Sequence, residues 1–140
     1  MPRQEPSGLE PQCVALLVCD LVHRDPISRR YTVLGIFDAI EAPFFPVVYP
    51  KMSVFLSMID GRGITRITLR LVDVDELRPP VFEYSANVDF SDPRMPEEIG
   101  LEIQDAAFPE RGEYRLQMLA SNATIVERSL TVDLAPDAED

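Results

Sequence analysis

The chain has 140 residues, and its 24 acidic and 13 basic side chains give a net charge of −11. This length suits one domain with a sizeable core, and no apolar run approaches the roughly 20 residues that span a bilayer. The acidic balance argues against nucleic-acid binding, because such binding depends on Lys and Arg contacts to phosphates. We therefore expect a soluble, cytoplasmic protein that binds neither nucleic acid nor membrane.

Both ends of the chain differ in composition from its centre. Residues 1–12 are polar and proline-rich, and they lack the apolar stretch of a secretory signal. Residues 135–140 are small and acidic. We predict disordered tails over 1–12 and 135–140, with a single β-sandwich domain over 13–134.

Short apolar runs, most of them alternating with polar residues, are separated by Pro, Gly, Asn and Asp, which is typical of strands and turns. The predicted strands cover residues 13–22, 31–40, 52–59, 64–74, 82–90, 96–105, 114–120 and 125–134. The run at 96–105 also fits a helix, but Gly100 and its two-residue period favour a strand.

The first predicted strand contains Val14–Val18, which shows no alternation. This continuous apolar run predicts a central strand covered on both faces. Cys13 and Cys19 would lie roughly 20 Å apart along it, beyond disulfide reach. We therefore expect two reduced cysteines.

The turns between strands are predicted from their residues. Asp25–Pro26 marks a turn after the first strand, and residues 60–63 (Asp-Gly-Arg-Gly) are interpreted as a hairpin turn rather than a phosphate-binding loop. Strands 64–74 and 82–90 are predicted to pair, so that outward arginines oppose outward acids. These side chains are Arg66, Arg70, Glu83 and Asp89.

The last hairpin gives the most specific indication of the fold. Tyr114 follows a Pro/Gly corner at 109–112 and opens a strand near the end of the chain. This arrangement resembles the tyrosine corner of immunoglobulin-like sandwiches. The chain has no Trp and so lacks the Cys…Trp…Cys pattern of antibody domains. We predict an all-β, immunoglobulin-like two-layer antiparallel sandwich of seven to nine strands.

Four segments of the sequence together resemble a family of small bacterial proteins of unknown function. They read VCDLVHRD, YTVLGIFDAI, FFPVVYPKMSVFLSMIDGRG and, near the end, FPERGEYRLQML. The similarity covers roughly residues 14–134. It implies a bacterial β-sandwich and carries over no catalytic or ligand-binding residue.

The sequence offers little catalytic chemistry. Cys19 and His23 are the only thiol–imidazole combination at close spacing, but in a strand they would lie roughly 13 Å apart. Together with Cys13 they also lack the ligand spacing of a zinc site. We assign no catalytic residue and no cofactor.

Calcium is the more plausible metal, because loop carboxylates at one end of a sandwich can supply oxygen ligands. The acids come from two predicted loops and their borders, although neither loop has the spacing of a known calcium motif. The weak candidates are Asp73, Asp75, Glu76, Asp89 and Asp92.

The segment 42–50 has the strongest claim to function, because it combines three prolines with three aromatic residues in a predicted connection. Prolines would preorganise such a loop, and aromatic side chains are common binding anchors. The alternative is a lid that buries the same side chains over the end of the sandwich. The partner-binding candidates are Phe44, Phe45, Val47 and Tyr49.

We therefore expect a non-enzymatic interaction module or accessory subunit of a bacterial cytoplasmic assembly. It would bind an unknown protein through the 42–50 segment or an exposed sheet edge. A calcium- or small-ligand-binding sandwich is the alternative, and a carboxylate-based hydrolase is the third possibility. A homo-oligomer is compatible with the sequence.

Overall fold

The fold is given by a computed structural model, which describes residues 10–92 and 94–136. The tails predicted at 1–12 and 135–140 therefore fall mostly outside the described residues. The strands found are β1 (Gln12–Arg24), β2 (Tyr31–Ile36), β3 (Ala39–Ala42), β4 (Val47–Ile59), β5 (Gly63–Asp73), β6 (Phe82–Phe90), β7 (Glu97–Phe108), β8 (Gly112–Ala120) and β9 (Ala123–Leu134). Within 10–92 and 94–136, no helix has the length and apolar character needed to cross a membrane.

The strands form two sheets. One has four strands in the order β2-β1-β4-β7, and the other has five in the order β3-β9-β8-β5-β6. Neighbouring strands are antiparallel, except that β3 and β9 run parallel. The predicted all-β, immunoglobulin-like two-layer sandwich is confirmed, as is the strand at 96–105, which lies within β7.

The core lies between the two sheets. It consists of alternate residues of adjacent strands, because successive side chains of a strand point to opposite faces. Burial of each such side chain contributes roughly 1.5–3 kcal/mol. Its central members are Met52, Val54, Leu56, Met58, Ile67, Leu69, Leu71, Leu116 and Met118.

Residues 20–36, the distal part of the β1–β2 hairpin, form an arm across the outer face of the four-stranded sheet. The Tyr31 ring lies with its centroid 5.2 Å from that of Phe55 on β4. A Cβ on Gly100 of β7 would lie only 2.7 Å from Cγ1 of Val22. Because β4 separates β1 from β7, Val22 reaches Gly100 only by crossing over β4.

Burial changes along the first half of β1. Leu16 and Val18 face the core, and Cys19 is also fully buried. Val14, however, is 59% exposed. The predicted two-sided burial of Val14–Val18 is therefore wrong at its start, where the register between β1 and β4 shifts and Val14 has no partner on β4.

The segment 31–40, predicted as one strand, is two strands in different sheets. β2 ends at Ile36 and pairs with β1, whereas β3 begins at Ala39 and pairs with β9. Gly35 has a φ of 69°, and the Phe37 amide donates to Val18 O at 3.0 Å. The chain thus changes sheets between these strands.

The hairpin turn predicted at 60–63 is also wrong, because β4 and β5 lie in different sheets and do not pair with each other. Asp60 and Gly63 both have positive φ, at 66° and 68°. Gly61 lies against the buried Phe90 ring, where a Cβ would come within 2.6 Å of ring atoms. The segment is a tight passage from one sheet to the other.

The β5–β6 hairpin is confirmed, but its predicted charge pairs are only partly so. Arg70 lies opposite Glu83, whereas Arg66 lies opposite Asn87. Arg70 Nε donates a hydrogen bond to Gln117 Oε1 on the adjacent strand β8 at 2.6 Å. Gln117 in turn donates to Glu127 on β9, so Arg70 belongs to a polar network across three strands of the five-stranded sheet.

The tyrosine corner is present as predicted. The Tyr114 hydroxyl donates to Glu110 O at 2.6 Å. Burial raises the pKa of this phenol, which keeps it protonated as a donor. The bond fixes the turn between β7 and β8 against the core.

Candidate interaction surface

The Pro/aromatic segment is shorter than the loop predicted over 42–50. β3 ends at Ala42 and β4 begins at Val47, so only residues 43–46 connect strands. Val47 lies opposite Phe108, and Tyr49 lies opposite Ala106 on β7. The prediction that Val47 and Tyr49 belong to a loop is wrong.

Pro50 is tolerated within β4 because β7 is irregular at the facing position. Tyr49 and Lys51 pair with Ala106 and Gln104, so Pro50 falls opposite Asp105. Asp105 has a φ of 58°, and a proline without an N–H is confined to such irregular positions or to strand edges. A strand interrupted by Pro50 reads as a loop in the sequence alone.

The four candidate side chains divide into two groups. Phe45, Val47 and Tyr49 are half-buried and pack against the core, as a lid would. Burial also raises the pKa of the Tyr49 phenol. Phe44 alone is open to solvent, with 63% of its surface exposed, and so it is the most accessible of the four side chains to a partner.

This division predicts different stability effects for two neighbouring phenylalanines. Phe44→Ser should change the free energy of unfolding by less than about 0.5 kcal/mol, as exposed sites do. Phe45→Ser should cost about 1–3 kcal/mol because it removes packed apolar surface. Urea unfolding of both variants measures the difference, and equal losses would show that the two rings are equally buried.

A groove of about 380 Å³ begins beside this connection. It is lined mainly by prolines and valines, with Arg78 as its charged residue and no carboxylate among the lining side chains. The residues that shape it are Pro46, Val47, Val48, Pro79, Pro80, Val81, Ala107 and Pro109. Val48 is 56% exposed there, so the groove presents apolar surface to solvent.

Three chain segments meet to build the groove. Pairing of Val48 with Ala107 joins the start of β4 to the end of β7. The third segment is the β5–β6 loop, which an ion pair between Arg78 and Glu110 links to the β7–β8 turn. The hydrogen bond and charge of Glu110 raise the pKa of Arg78, so the link persists at neutral pH.

The lining of the groove is mainly apolar and includes four prolines. Proline rings carry no N–H, so the walls offer apolar surface and few donors. Their fixed φ angles hold the walls in place, which lowers the entropy lost when a partner binds.

The calcium candidates do not come together. Asp73 lies at the end of β5, whereas Asp89 pairs with Ile64 at the start of the same strand. Nine residues of strand, roughly 30 Å, separate these positions. Within residues 10–92 and 94–136, His, Cys, Asp and Glu side chains form no group of three that could hold a metal.

The thiols and the histidine lie apart from this surface. Cys13 and Cys19 are both free, and burial raises the pKa of the Cys19 thiol. His23 is exposed on the arm. A buried, protonated thiol and a solvated imidazole do not form an activated pair.

Comparison with known proteins places the chain among its relatives. Residues 14–133 match the model of a family of unknown function, DUF6941. The chain belongs to the DUF6941 family. Membership in DUF6941 confirms the resemblance stated from the sequence, and no curated protein matches the chain.

Solved structures similar to this DUF6941 chain include an immunoglobulin-like protein from Pseudomonas aeruginosa. The two share 14% identity with a TM-score of 0.47, over 90% of this chain and 98% of the other. A β-glucosidase from Kluyveromyces marxianus is similar at 11% identity and a TM-score of 0.43, over 76% of this chain and 16% of that enzyme.

Of the three segments that build the groove in this DUF6941 chain, the sequence indicated only the one within 42–50 as a binding candidate. Pro79 and Pro80 fall between the predicted strands 64–74 and 82–90, and Pro109 belongs to the Pro/Gly corner before Tyr114. The pairing of β4 with β7 brings Pro109 near Pro46, and the Arg78–Glu110 ion pair ties the β5–β6 loop with Pro79 and Pro80 to the same place. A proline-rich composition in three separate turns was the available signal.

Proposed function

We propose that this chain is a non-enzymatic interaction module that binds an extended apolar segment of a partner protein in the proline-lined groove. The observation that carries this is the groove itself, because its lining is mainly apolar, contains four prolines and is open to solvent. Phe44, two residues before Pro46 of the lining, is an exposed aromatic side chain of the kind that dominates binding energies.

We further propose that the module acts as an accessory subunit in a bacterial cytoplasm. The unbridged Cys13 and Cys19 support a reducing compartment. The groove supports a protein partner over a polar metabolite, because its lining offers one charged side chain, and that side chain is already paired.

The experiment that tests the module is selection of 12-residue peptides from a displayed random library on the full chain. Val48→Glu places a charge in the groove and should weaken binding of the selected peptides at least about tenfold, because an unpaired charge is costly to bury. Val14→Glu is the matched control, since Val14 is equally exposed on a strand outside the groove.

Peptides that bind the wild type and Val14→Glu equally, and lose affinity for Val48→Glu, would support the groove as the site. Peptides that bind all three chains equally would overturn it. A melting temperature for each variant shows that both charges leave the fold intact.

A further inference from the structure

A second cavity, of about 320 Å³, adjoins the groove at the tyrosine corner. Arg78 lines both cavities, so they lie on either side of this side chain. In contrast to the groove, the second cavity is rich in carboxylates. Its charged lining residues are Asp73, Asp75, Arg78, Glu110, Arg111 and Glu113.

Both arginines of the acidic cavity are neutralised by neighbours. Arg78 pairs with Glu110. Arg111 pairs with Asp133 at 2.7 Å, using a carboxylate from outside the cavity. Asp73 attracts Arg78 through its charge, but the ion pairs of the two arginines go to Glu110 and Asp133.

The acids that line this cavity differ in whether a cation pairs with them. Glu113 pairs with Arg115 at 3.0 Å and accepts from Ser129. The Asp73 carboxylate accepts the amide of Leu77 at 3.2 Å. Across the part of the chain that the structure describes, no cation pairs with Asp73 or Asp75. Two carboxylates without an ion pair therefore lie beside an apolar groove.

The two cavities are close enough for one peptide to occupy both. Asp75 precedes Pro79 of the groove by four residues, so at most about 14 Å of chain separates them. An extended ligand covers that distance in about four residues.

We propose that the partner segment carries a Lys or Arg within about four residues of its apolar anchor, and that Asp73 and Asp75 receive this cation while the groove receives the anchor. This inference rests on the proposed function, because it needs the groove as the apolar half of the site. It adds the chemistry of the partner, which is an extended apolar segment with an adjacent positive charge.

The test uses the peptides that were selected on the full chain and that lose binding on Val48→Glu. Their sequences should be enriched in Lys or Arg within four residues of an aliphatic or aromatic residue. Asp75→Lys should raise their Kd about tenfold at low salt through like-charge repulsion. Glu98→Lys makes the same charge change on the exposed edge strand β7 and should leave the Kd unchanged.

Salt dependence on the unmodified chain provides a second measurement that needs no variant. The Kd should rise as salt increases from about 0.05 to 0.5 M, because exposed charge pairs are screened. Suppose that the groove-dependent peptides are not enriched in Lys or Arg and bind Asp75→Lys as tightly as the wild type. That result would overturn this inference but would still support the proposed interaction module. A failure to find groove-dependent peptides would overturn both.

Discussion

Phe108→Ala is expected to lower the free energy of unfolding by about 3–5 kcal/mol. Phe108 is fully buried at the end of β7, and its ring meets the Tyr114 ring edge-on, with centroids 5.1 Å apart. Such a loss is a large share of the 5–15 kcal/mol typical of a domain. Removal of the Phe108 ring would leave an empty cavity beneath the tyrosine corner, where the Tyr114 hydroxyl donates to Glu110 O.

Urea unfolding of the variant, followed by intrinsic tyrosine fluorescence or circular dichroism, measures this loss. Phe44→Ala is the matched control, because it removes the same side chain from an exposed position. That variant should stay within about 0.5 kcal/mol of the wild type. Equal losses for Phe108 and Phe44 would contradict the placement of the core.

Gly100→Val is expected to destabilise the domain by about 1–3 kcal/mol through overpacking and to lift the arm from the sheet. Its Cβ would lie 2.7 Å from Val22 and 3.2 Å from the Tyr31 ring. Valine is a better strand former than glycine, but by less than about 1 kcal/mol. The steric clash therefore outweighs this gain, and the net effect on stability is a loss. The arm contacts Phe55 through the Tyr31 ring, and the Cys19 thiol donates to Leu21 O of the arm at 3.7 Å.

Thiol labelling reads out the position of the arm directly. With Cys13 replaced by serine, Cys19 should react slowly, because burial shields the thiol and raises its pKa. Gly100→Val should accelerate labelling at least about tenfold under native conditions, as expected for a locally opened site. Gln104→Val, at an exposed position of the same strand, is the control. Labelling that is equally slow in both variants would contradict an arm seated on Gly100.

The features predicted correctly from the sequence are local ones. The strand at 82–90 follows from alternation, and the last hairpin from its turn residues. Ser121 and Asn122 there both have positive φ, at 50° and 74°, as a tight hairpin requires. The hydroxyl bond of Tyr114 spans only four residues. In each case the physical cause lies within the segment that reveals it.

The features missed depend on which sheet a strand joins. A Gly-rich turn reads the same whether the next strand pairs with the previous one or crosses to the other sheet, and 60–63 crosses. The break between Ile36 and Ala39 is invisible because both sides remain apolar. The groove needs Pro46, Pro79 and Pro109 from three connections, so tertiary pairing alone reveals it.

The most direct test of the interaction groove is amide chemical-shift mapping of the ¹⁵N-labelled chain during titration with a selected peptide. The largest changes are predicted at Val47, Val48, Val81 and Ala107, which line the groove and carry amide protons. Changes confined to the exposed edges of the sheets, along β2 or β6, would contradict the groove and assign binding to a sheet edge.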